Sequence, residues 1–371
     1  MNNILPQRKR YDGGVILTAL IILLAFGTVM VFSSSGIYAS DKYKSIHYFL
    51  MKQVFWIGIG SIGLIFFKNI RYDKLRQIAK PLFILAVLSL FLVFVPHIGK
   101  SAGGAKRWIS VAGFTFEPSE LLKLAFIIYI ADAIERKQEK IKLFVQGFLP
   151  FLFILGGVAC VLLLQPDVGS IIMLVIILAI MLFVAGIRIS HVLAVALPLV
   201  PLAYIVVMKA SYRSKRIKSF LESPWADPQG IGFQMVQSFI AFGSGGIFGK
   251  GLGNGTQKLF YLPESHTDFI FAIVGEEMGL AGATGVLLFF GFIIWKGIEI
   301  ATKLDDVFGK VLAVGITSWV GLQAFVNMAV VTGLLPTKGL TLPFISYGGS
   351  SLLVNMMAIG LLLNLAKQVK R

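Results

Sequence analysis

The sequence predicts an all-α polytopic membrane protein, and this prediction rests on its composition, its charge content and the length of its apolar blocks. Of the 371 residues, 57% are hydrophobic and only 14% are charged, and the mean hydropathy is +0.84. Soluble domains contain about 25% charged residues, so this chain has too few charges to cover a water-facing surface of its size. The apolar blocks are about 20 residues long, which matches the thickness of a bilayer core. These observations exclude a soluble enzyme and a disordered chain, and the sequence lacks the short alternating strands of a membrane barrel.

The apolar blocks predict about ten transmembrane helices in a single domain that covers residues 1–371. Each block is long enough to cross most of a bilayer as a helix. The sequence contains no visible internal repeat and no segment long enough for a separate soluble domain. The predicted spans are 13–34, 47–67, 79–96, 119–133, 147–164, 169–185, 189–208, 268–295, 308–332 and 349–366.

The distribution of positive charge predicts the orientation of the chain. Connections on one side are rich in Lys and Arg, and this enrichment marks the cytoplasmic face. Residues 1–12 are therefore expected to be a cytoplasmic N-terminus, and residues 367–371 a cytoplasmic tail. The formal net charge of +16 then reflects topology and attraction to anionic lipid rather than binding to nucleic acid. The Lys/Arg-rich side includes Arg8, Lys9, Arg10, Lys68, Arg71, Lys74, Arg136, Lys137, Arg188 and Lys310.

One outer connection, residues 209–268 between the seventh and eighth predicted spans, is far longer than the others and is expected to be functional. Within it, Phe233–Phe242 is apolar enough to form a re-entrant or interfacial helix. The following Gly243–Gly255 contains seven glycines in thirteen residues. This composition disfavours a helix and predicts a turn-rich backbone that approaches its neighbours closely. The run lacks the Gly-Lys-Ser/Thr ending of a phosphate-binding P-loop.

The densest group of ionisable residues lies just before the eighth predicted span, in the segment Leu262–Ala272. Glu264, His266 and Asp268 fall within five residues of one another on the predicted outer face. Ionisable groups at a membrane are candidates for function. A simpler interpretation is that Thr267 or Asp268 caps the helix that follows. The sequence leaves both interpretations open.

Glu276, Glu277 and Lys123 are candidate ionisable residues inside predicted spans. Glu276 and Glu277 lie about two turns into the eighth span, and Lys123 lies about one turn into the fourth. The two glutamates are either wetted functional groups or structural carboxylates with partners inside the protein. Lys123 is expected to pair with Glu120 or to extend toward the membrane interface.

A second outer group consists of Lys106, Arg107 and Trp108, followed by the Glu-Pro-Ser-Glu sequence that starts the fourth span. Adjacent cations are suited to binding a phosphate. Trp108 is also typical of an interfacial anchor. Glu117 and Ser119 are the candidates to cap the fourth helix.

Two more outer segments complete the candidate site. In the short turn Gln165–Gly169, Asp167 is either a functional carboxylate or a helix cap. The segment Leu335–Ser351 is apolar but contains two prolines and three glycines, which is typical of a re-entrant segment that lines a cavity. Its one charge, Lys338, is either a binding residue or a solvated loop lysine. Carboxylates, cations and an aromatic side chain on one face together suit a substrate with a phosphate head group and a lipid tail.

These motifs resemble those of the FtsW/RodA (SEDS) family over essentially the whole chain. The Gly-Glu-Glu and Thr-Lys-Gly-Leu-Thr segments that begin at Gly275 and Thr337 are more similar to the division-type FtsW branch than to the elongation-type RodA branch. Glu117 departs from the family pattern, in which Gln more often precedes Pro-Ser-Glu, so a carboxylate there is not essential to the family. The resemblance is carried by Lys106–Ile109, Pro118–Glu120, Gln165–Asp167, Leu262–Ala272 and Pro343–Ser351.

The resemblance implies a peptidoglycan glycosyltransferase that polymerises lipid II into β-1,4 glycan strands at the outer face of the bacterial cytoplasmic membrane. The 4-hydroxyl of one lipid-linked sugar attacks the anomeric carbon of another, with inversion and departure of lipid pyrophosphate. Asp268 matches the catalytic carboxylate of the family and is expected to act as the base. Trp108, Asp167, Glu264 and Lys338 match family positions, Arg107, Arg213 and Arg216 are candidates for the pyrophosphate by their charge, and Lys106, His266 and Ser350 complete the expected substrate-binding set.

The resemblance also implies the partners. They are a class B penicillin-binding protein (a transpeptidase), other division-complex proteins, undecaprenyl-linked glycan and membrane lipids, with a location at the division septum. No cofactor is required by the sequence, but a divalent cation, Mg or Mn, held by Asp268 or Glu264 would help to stabilise the leaving group. The main alternative is a transporter that flips lipid II along a path lined by Glu276, Glu277 and Lys123. A structural scaffold for the division complex is a third possibility.

Overall fold

The computed structural model describes residues 13–102, 105–111, 113–195, 197, 216 and 220–369, and within them the fold is a helical bundle with one small sheet. Short 3₁₀ turns lie at Leu92–Phe94, Gln138–Lys140 and Pro224–Ala226, and a π-helical turn lies at Phe144–Phe148. The long helices are α1 (Gly14–Tyr43), α2 (Tyr48–Asn69), α3 (Tyr72–Phe91), α4 (Pro118–Arg136), α5 (Leu149–Leu164), α6 (Val168–Val184), α7 (Phe233–Gly245), α8 (Ile270–Lys303), α9 (Val307–Val331) and α10 (Gly349–Ala366).

The predicted spans correspond well to these helices. Nine of the ten match α1–α6 and α8–α10, and seven helices of the described chain are long and apolar enough to cross a membrane. Helix α6 is not among these seven because it has only 17 residues, and α4 is not among them because it contains several ionisable groups. The seventh span is helical at 189–195, and most of its remainder lies outside the described residues. The count of ten and the outer location of 209–268 therefore stay predictions.

Helix α1 is longer than its predicted span, because a run of serines continues the helix instead of ending it. Ser34 and Ser35 donate their hydroxyls to the carbonyl oxygens of Met30 and Val31, at 2.7 and 2.6 Å. These bonds satisfy the polar side chains within the helix. With 30 residues, α1 is about 45 Å long, whereas a bilayer core is about 30 Å thick. One end of α1 therefore extends beyond the hydrocarbon.

The connection between α3 and α4 forms a three-stranded antiparallel sheet that the sequence did not predict. Its strands, in spatial order, are β1 (Gly99–Ala102), β2 (Ala105–Val111) and β3 (Phe114–Phe116). Trp108 of β2 is paired with Lys100 of β1. Trp108 and Lys106 pair with consecutive residues of β1, so Arg107 lies at an irregularity of the pairing that interrupts the regular alternation of side chains.

The bundle is held together by close helix contacts that need small residues. Gly60 and Gly63 of α2 leave room for the side chains of Met356 and Met357 of α10. At the end of this contact, Nδ2 of Asn364 donates to the carbonyl oxygens of Phe67 at 2.9 Å and Ile70 at 2.8 Å. This pairing satisfies carbonyls at the C-terminal end of α2 that have no partner within the helix.

Helix α8 is broken at Gly279, and the glycine-rich segment packs against the break. Gly279 has φ 65° and ψ −163°, a conformation that is open to glycine. The amides of Lys250 and Gly251 donate to the carbonyls of Glu276 and Glu277, both at 3.0 Å. The segment therefore supplies hydrogen bonds that the interrupted helix lacks, which explains its close backbone approach. The apolar residues before it form α7, as predicted.

Candidate functional site

The segment that carries Asp268 is an irregular turn packed against α8, and neither of its proposed capping residues caps that helix. Phe269 occupies the N-cap position of α8, with no side-chain cap hydrogen bond. The hydroxyl of Thr267 instead donates to the Glu264 carboxylate at 2.8 Å. The interpretation of Thr267 or Asp268 as a helix cap is therefore wrong. Asp268 retains its carboxylate for other contacts.

Asp268 is held in position through its backbone. Nδ2 of Asn327 in α9 donates to the carbonyl oxygen of Asp268 at 2.8 Å and to that of Leu340 at 2.6 Å. The Ser346 hydroxyl donates to the carbonyl of Thr267 at 2.6 Å. These bonds fix the turn before α8 on the segment before α10.

The Asp268 carboxylate faces the backbone of this second segment. A Cβ atom at position 339 would lie 2.7 Å from Oδ2 of Asp268, so Gly339 leaves the space that the carboxylate occupies. Nη1 of Arg216 donates to the carbonyl oxygen of Thr337 at 3.0 Å, two residues away. The guanidinium of Arg216 thus lies on the same segment as the carboxylate.

The surroundings of Asp268 favour its neutral form. Burial, with a smaller contribution from the Glu264 charge, raises the pKa of Asp268 to about 7, and the Arg216 charge opposes the rise. A carboxylate with a pKa near neutrality is suited to accept a proton during a reaction at physiological pH.

Lys338, Asp167 and Arg107 form a second charged group beside this carboxylate. A Cβ atom at Gly169 would lie 2.7 Å from Nζ of Lys338, so the ammonium lies against the first turn of α6. Burial lowers the pKa of Lys338 to about 8, whereas the charge of Asp167 raises it. Nη1 of Arg107 lies 3.9 Å from Oδ1 of Asp167, and its Nη2 donates to the carbonyl of Pro166 at 2.6 Å. Lys338 is therefore not a solvated loop lysine.

Asp167 has two roles in this group. Its carboxylate accepts from the backbone amide of Ser170 at 3.3 Å, so it caps α6 as the simpler interpretation proposed. It is also the counter-charge of Arg107 and acts electrostatically on Lys338. The capping bond therefore orients the Asp167 carboxylate, whose charge acts on both Arg107 and Lys338.

The start of α4 adds a third group of charges. Glu117 occupies the N-cap position but its side chain makes no capping bond, and it accepts instead from the Ser119 hydroxyl at 3.0 Å. Burial raises the pKa of Glu117 to about 8, with further contributions from the charges of Glu120 and Asp167. Nζ of Lys123 lies 2.8 Å from Oε1 of Glu120, and both side chains are buried. The predicted Lys123–Glu120 pair is confirmed.

The remaining predicted site residues are less tightly connected to Asp268. His266 is buried, and its ring lies 4.4 Å from that of Phe49; burial lowers its pKa to about 4, so it is neutral at physiological pH. Lys106 is exposed, and Trp108 is half-buried on β2. Ser350 is buried at the start of α10. Arg213 lies outside the described residues.

Two amide side chains of α9, Gln323 and Asn327, were missed by the sequence analysis. Gln323 donates to the Ser351 hydroxyl at 2.9 Å and to the Thr341 carbonyl at 3.2 Å. The two amides are four residues apart, so they share one face of the helix. Polar amides one turn apart within a predicted span are a signal that would have identified them.

The two carboxylates within α8 are paired. Glu276 accepts from Nζ of Lys250 at 2.8 Å, and Glu277 accepts from Nζ of Lys258 at 2.6 Å and from the Ser33 hydroxyl at 2.8 Å. Both carboxylates are fully buried. These contacts support the structural interpretation of Glu276 and Glu277, since they join the glycine-rich segment, α8 and α1.

Within the described ranges, no group of three or more His, Cys, Asp or Glu side chains is arranged to hold a metal ion. Asp268 and Glu264 provide two hard oxygen ligands of the type that Mg²⁺ prefers, and Mg²⁺ is commonly held by one or two carboxylates together with substrate phosphates. Two apolar grooves lie on the bundle. One, of about 560 Å³, lies along α1 and α8, and the other, of about 650 Å³, lies along α6, α8 and α9.

Comparisons with known proteins agree over nearly the full chain. Residues 14–371 match the FtsW/RodA/SpoVE family model, described as "Cell cycle protein". The chain is 46% identical over 362 residues to the probable peptidoglycan glycosyltransferase FtsW of Geobacter sulfurreducens, covering 98% of this chain and 96% of that protein. It is 44% identical over 355 residues to stage V sporulation protein E of Bacillus subtilis, covering 95% and 96%.

Solved structures give the same result. The rod shape determining protein RodA of Thermus thermophilus matches with a TM-score of 0.71 and 26% identity, covering 98% of each chain. A chain from a structure described as "Structural coordination of polymerization and crosslinking by a peptidoglycan synthase complex" matches with a TM-score of 0.74 and 27% identity, covering 96% of this chain and 97% of that one.

Proposed function

The chain belongs to the FtsW/RodA/SpoVE family, and from that membership we propose that it is a peptidoglycan glycosyltransferase that polymerises lipid II, with Asp268 as its base. The observation that carries this proposal is the position of Asp268. Its carboxylate has a pKa of about 7 and lies against Gly339, which follows Lys338, a cation whose pKa is lowered by burial and raised by the charge of Asp167.

The reaction forms one bond and breaks one. Asp268 takes the proton of the acceptor 4-hydroxyl, and the oxygen forms a bond to the anomeric carbon of the donor sugar. The bond from that carbon to the lipid pyrophosphate breaks, and the pyrophosphate leaves with the electron pair. Attack opposite to the leaving group converts the α-linked donor into a β-1,4 linkage. The developing negative charge is stabilised by nearby cations, for which Lys338, Arg107 and Arg216 are the candidates.

A divalent cation fits this chemistry. Glu264 would hold it while Asp268 acts as the base, and it would supply positive charge at the leaving group. Adding Mg or Mn to chelated enzyme would then restore polymer formation, and activity that is unchanged in chelator would remove this part of the proposal.

The transporter alternative loses its supporting observation. It relied on Glu276, Glu277 and Lys123 as charges along a path through the membrane. Each of these side chains has an oppositely charged partner within the protein. No observation specifically favours translocation.

We also propose that the protein functions at the division septum with both termini in the cytoplasm, and that its main partner is a class B penicillin-binding protein. The groove between α6, α8 and α9 would receive the transmembrane helix of that partner. Its lining includes Ile180, Ile298 and Phe325, which are apolar as this contact requires.

The experiment that tests the proposed function supplies purified protein with lipid II and follows glycan strands on a gel, with and without the transpeptidase partner. A parallel liposome assay follows translocation of the lipid II head group. The proposal predicts polymer, whereas head-group translocation without polymer would favour a transporter.

A further inference from the structure

Aromatic and lysine side chains form a continuous group at the ends of α1 and α2 that the reaction above does not use. The rings of Tyr43 and Tyr48 stack with centroids 3.8 Å apart. Nζ of Lys42 lies 5.2 Å from the Tyr38 ring and 5.7 Å from the Tyr43 ring. The Tyr38 ring lies 6.2 Å from that of Phe260, in the turn before α8. We call these five residues the aromatic–lysine platform.

Much of the platform is open to solvent, and internal packing does not explain it. Tyr43 is 39% exposed and Phe260 is 56% exposed. Phe260 also has φ 64°, a left-handed conformation that bulky residues rarely adopt. Strained conformations of this kind cluster at ligand sites. An exposed aromatic ring on a strained backbone therefore suggests contact with a ligand.

The platform lies where α1 extends beyond the bilayer core. Its last turns contain Ser40, Asp41 and Lys42, all exposed, and α1 is about 15 Å longer than a bilayer core is thick. An aromatic belt at the membrane interface is the simplest alternative for tyrosines at a helix end. The interspersed charged residues favour a surface that faces water.

The platform is continuous with the catalytic turn. The His266 ring lies 5.5 Å from that of Tyr38 and 4.4 Å from that of Phe49, and Asp268 follows two residues later. The Glu264 carboxylate acts electrostatically on both Lys42 and Asp268, so its charge is within range of both the platform and the reacting group. A polymer product that extends from Asp268 past His266 would cross the platform.

We propose that the aromatic–lysine platform binds the glycan strand that the enzyme elongates. This inference rests on the proposed function and identifies where its polymer is held. A β-linked sugar ring carries C–H groups on its faces that pack against the electron-rich face of an aromatic ring. The carboxylates of its stem peptides pair with lysine. The combination of exposed rings with cations matches this ligand better than it matches a lipid tail.

The test measures binding without catalysis. The probe is a lipid-free, uncrosslinked oligomer of the same glycan with intact stem peptides, titrated calorimetrically into the purified full-length protein in nanodiscs. Phe260→Ala and Tyr43→Ala are each expected to weaken binding about tenfold, as loss of a ring that the ligand covers would do. The matched control is Trp225→Ala, which removes an aromatic side chain that is 55% exposed elsewhere and should leave the affinity unchanged.

Conservative variants separate binding from folding. Phe260→Tyr and Tyr43→Phe keep the rings and should bind within twofold of wild type, and Lys42→Gln should weaken binding of the peptide-bearing oligomer more than that of a peptide-free chito-oligosaccharide. Asp268→Asn should bind as wild type even where it makes no polymer, so the two proposals fail independently. Equal affinities for wild type and the two alanine variants, or no binding by wild type, would overturn the inference. The inference would also be overturned if the two alanine variants bound the oligomer as wild type does but lost binding to the transpeptidase partner or association with the membrane.

Discussion

The side chain of Asn327 joins Asp268 to Leu340: its amide nitrogen lies 2.8 Å from the first carbonyl oxygen and 2.6 Å from the second. Asn327 is buried in α9, so the turn before α8 and the segment before α10 are both fixed to the same helix. The orientation of the Asp268 carboxylate therefore depends on Asn327, which contacts the Asp268 backbone but not the carboxylate itself.

Asn327→Ala is expected to lower kcat for polymerisation at least about tenfold, because Asp268 loses the anchor that orients it. KM for lipid II should change much less. The matched control is Asn364→Ala, since Asn364 makes the same pair of carbonyl bonds, to Phe67 and Ile70. Both variants lose stability by about 1–3 kcal/mol, as expected when buried carbonyls lose a donor. An equal loss of kcat in the two folded variants would show that Asn327 acts only through stability.

The pH profile of kcat/KM is expected to rise through about pH 7, where Asp268 loses its proton, because only the carboxylate accepts a proton from the acceptor. The Glu264 charge raises this pKa, so Glu264→Gln should move the acid limb to lower pH. The Arg216 charge lowers it, so Arg216→Gln should move the limb to higher pH. Initial rates across the pH range measure both shifts. If Glu264→Gln and Arg216→Gln both kept the acid limb of the wild-type profile, Asp268 would be excluded as the titrating group.

Lys338→Met is expected to reduce kcat/KM about 100-fold or more, since it removes a partly desolvated cation from the leaving group. Initial rates of lipid II consumption measure the loss. Lys303→Met is the control, because Lys303 pairs with Glu299 at the far end of α8. If Lys338→Met had a near wild-type kcat/KM, other residues would be responsible for stabilising the leaving group.

Lys258→Met is expected to destabilise the protein by about 3–5 kcal/mol, because it leaves the buried Glu277 carboxylate without its ion-pair partner. The exposed pair Lys303–Glu299 gives the comparison, where Lys303→Met should cost about 1 kcal/mol or less. Thermal unfolding in detergent measures both. The double variant Lys258→Met, Glu277→Met should be more stable than Lys258→Met alone, and the reverse order would contradict a structural role for the pair.

The sequence predicted what depends on local chemistry. Apolar length identified the helices, and clustering of ionisable groups identified the segment of Asp268 and the turn of Asp167. The pair of Lys123 and Glu120 followed from their helical spacing of three residues.

The sequence did not predict contacts between distant segments. Glu277 meets Ser33 across 244 positions of the chain, and no local pattern connects them. The capping role of Asp268 was wrong because tertiary hydrogen bonds from Asn327 hold that turn in a non-helical conformation. The length of α1 was underestimated because Ser34 and Ser35 bond within the helix, which continues to Tyr43.

The most direct test of the account is polymerisation of lipid II by purified Asp268→Asn, compared with wild type and with Asp268→Glu at matched levels of folded protein. The account predicts no glycan strands from Asp268→Asn, because an amide does not accept the hydroxyl proton, and partial activity from Asp268→Glu, which keeps a carboxylate. Strands of near-normal length and amount from Asp268→Asn would contradict the assignment of Asp268 as the base.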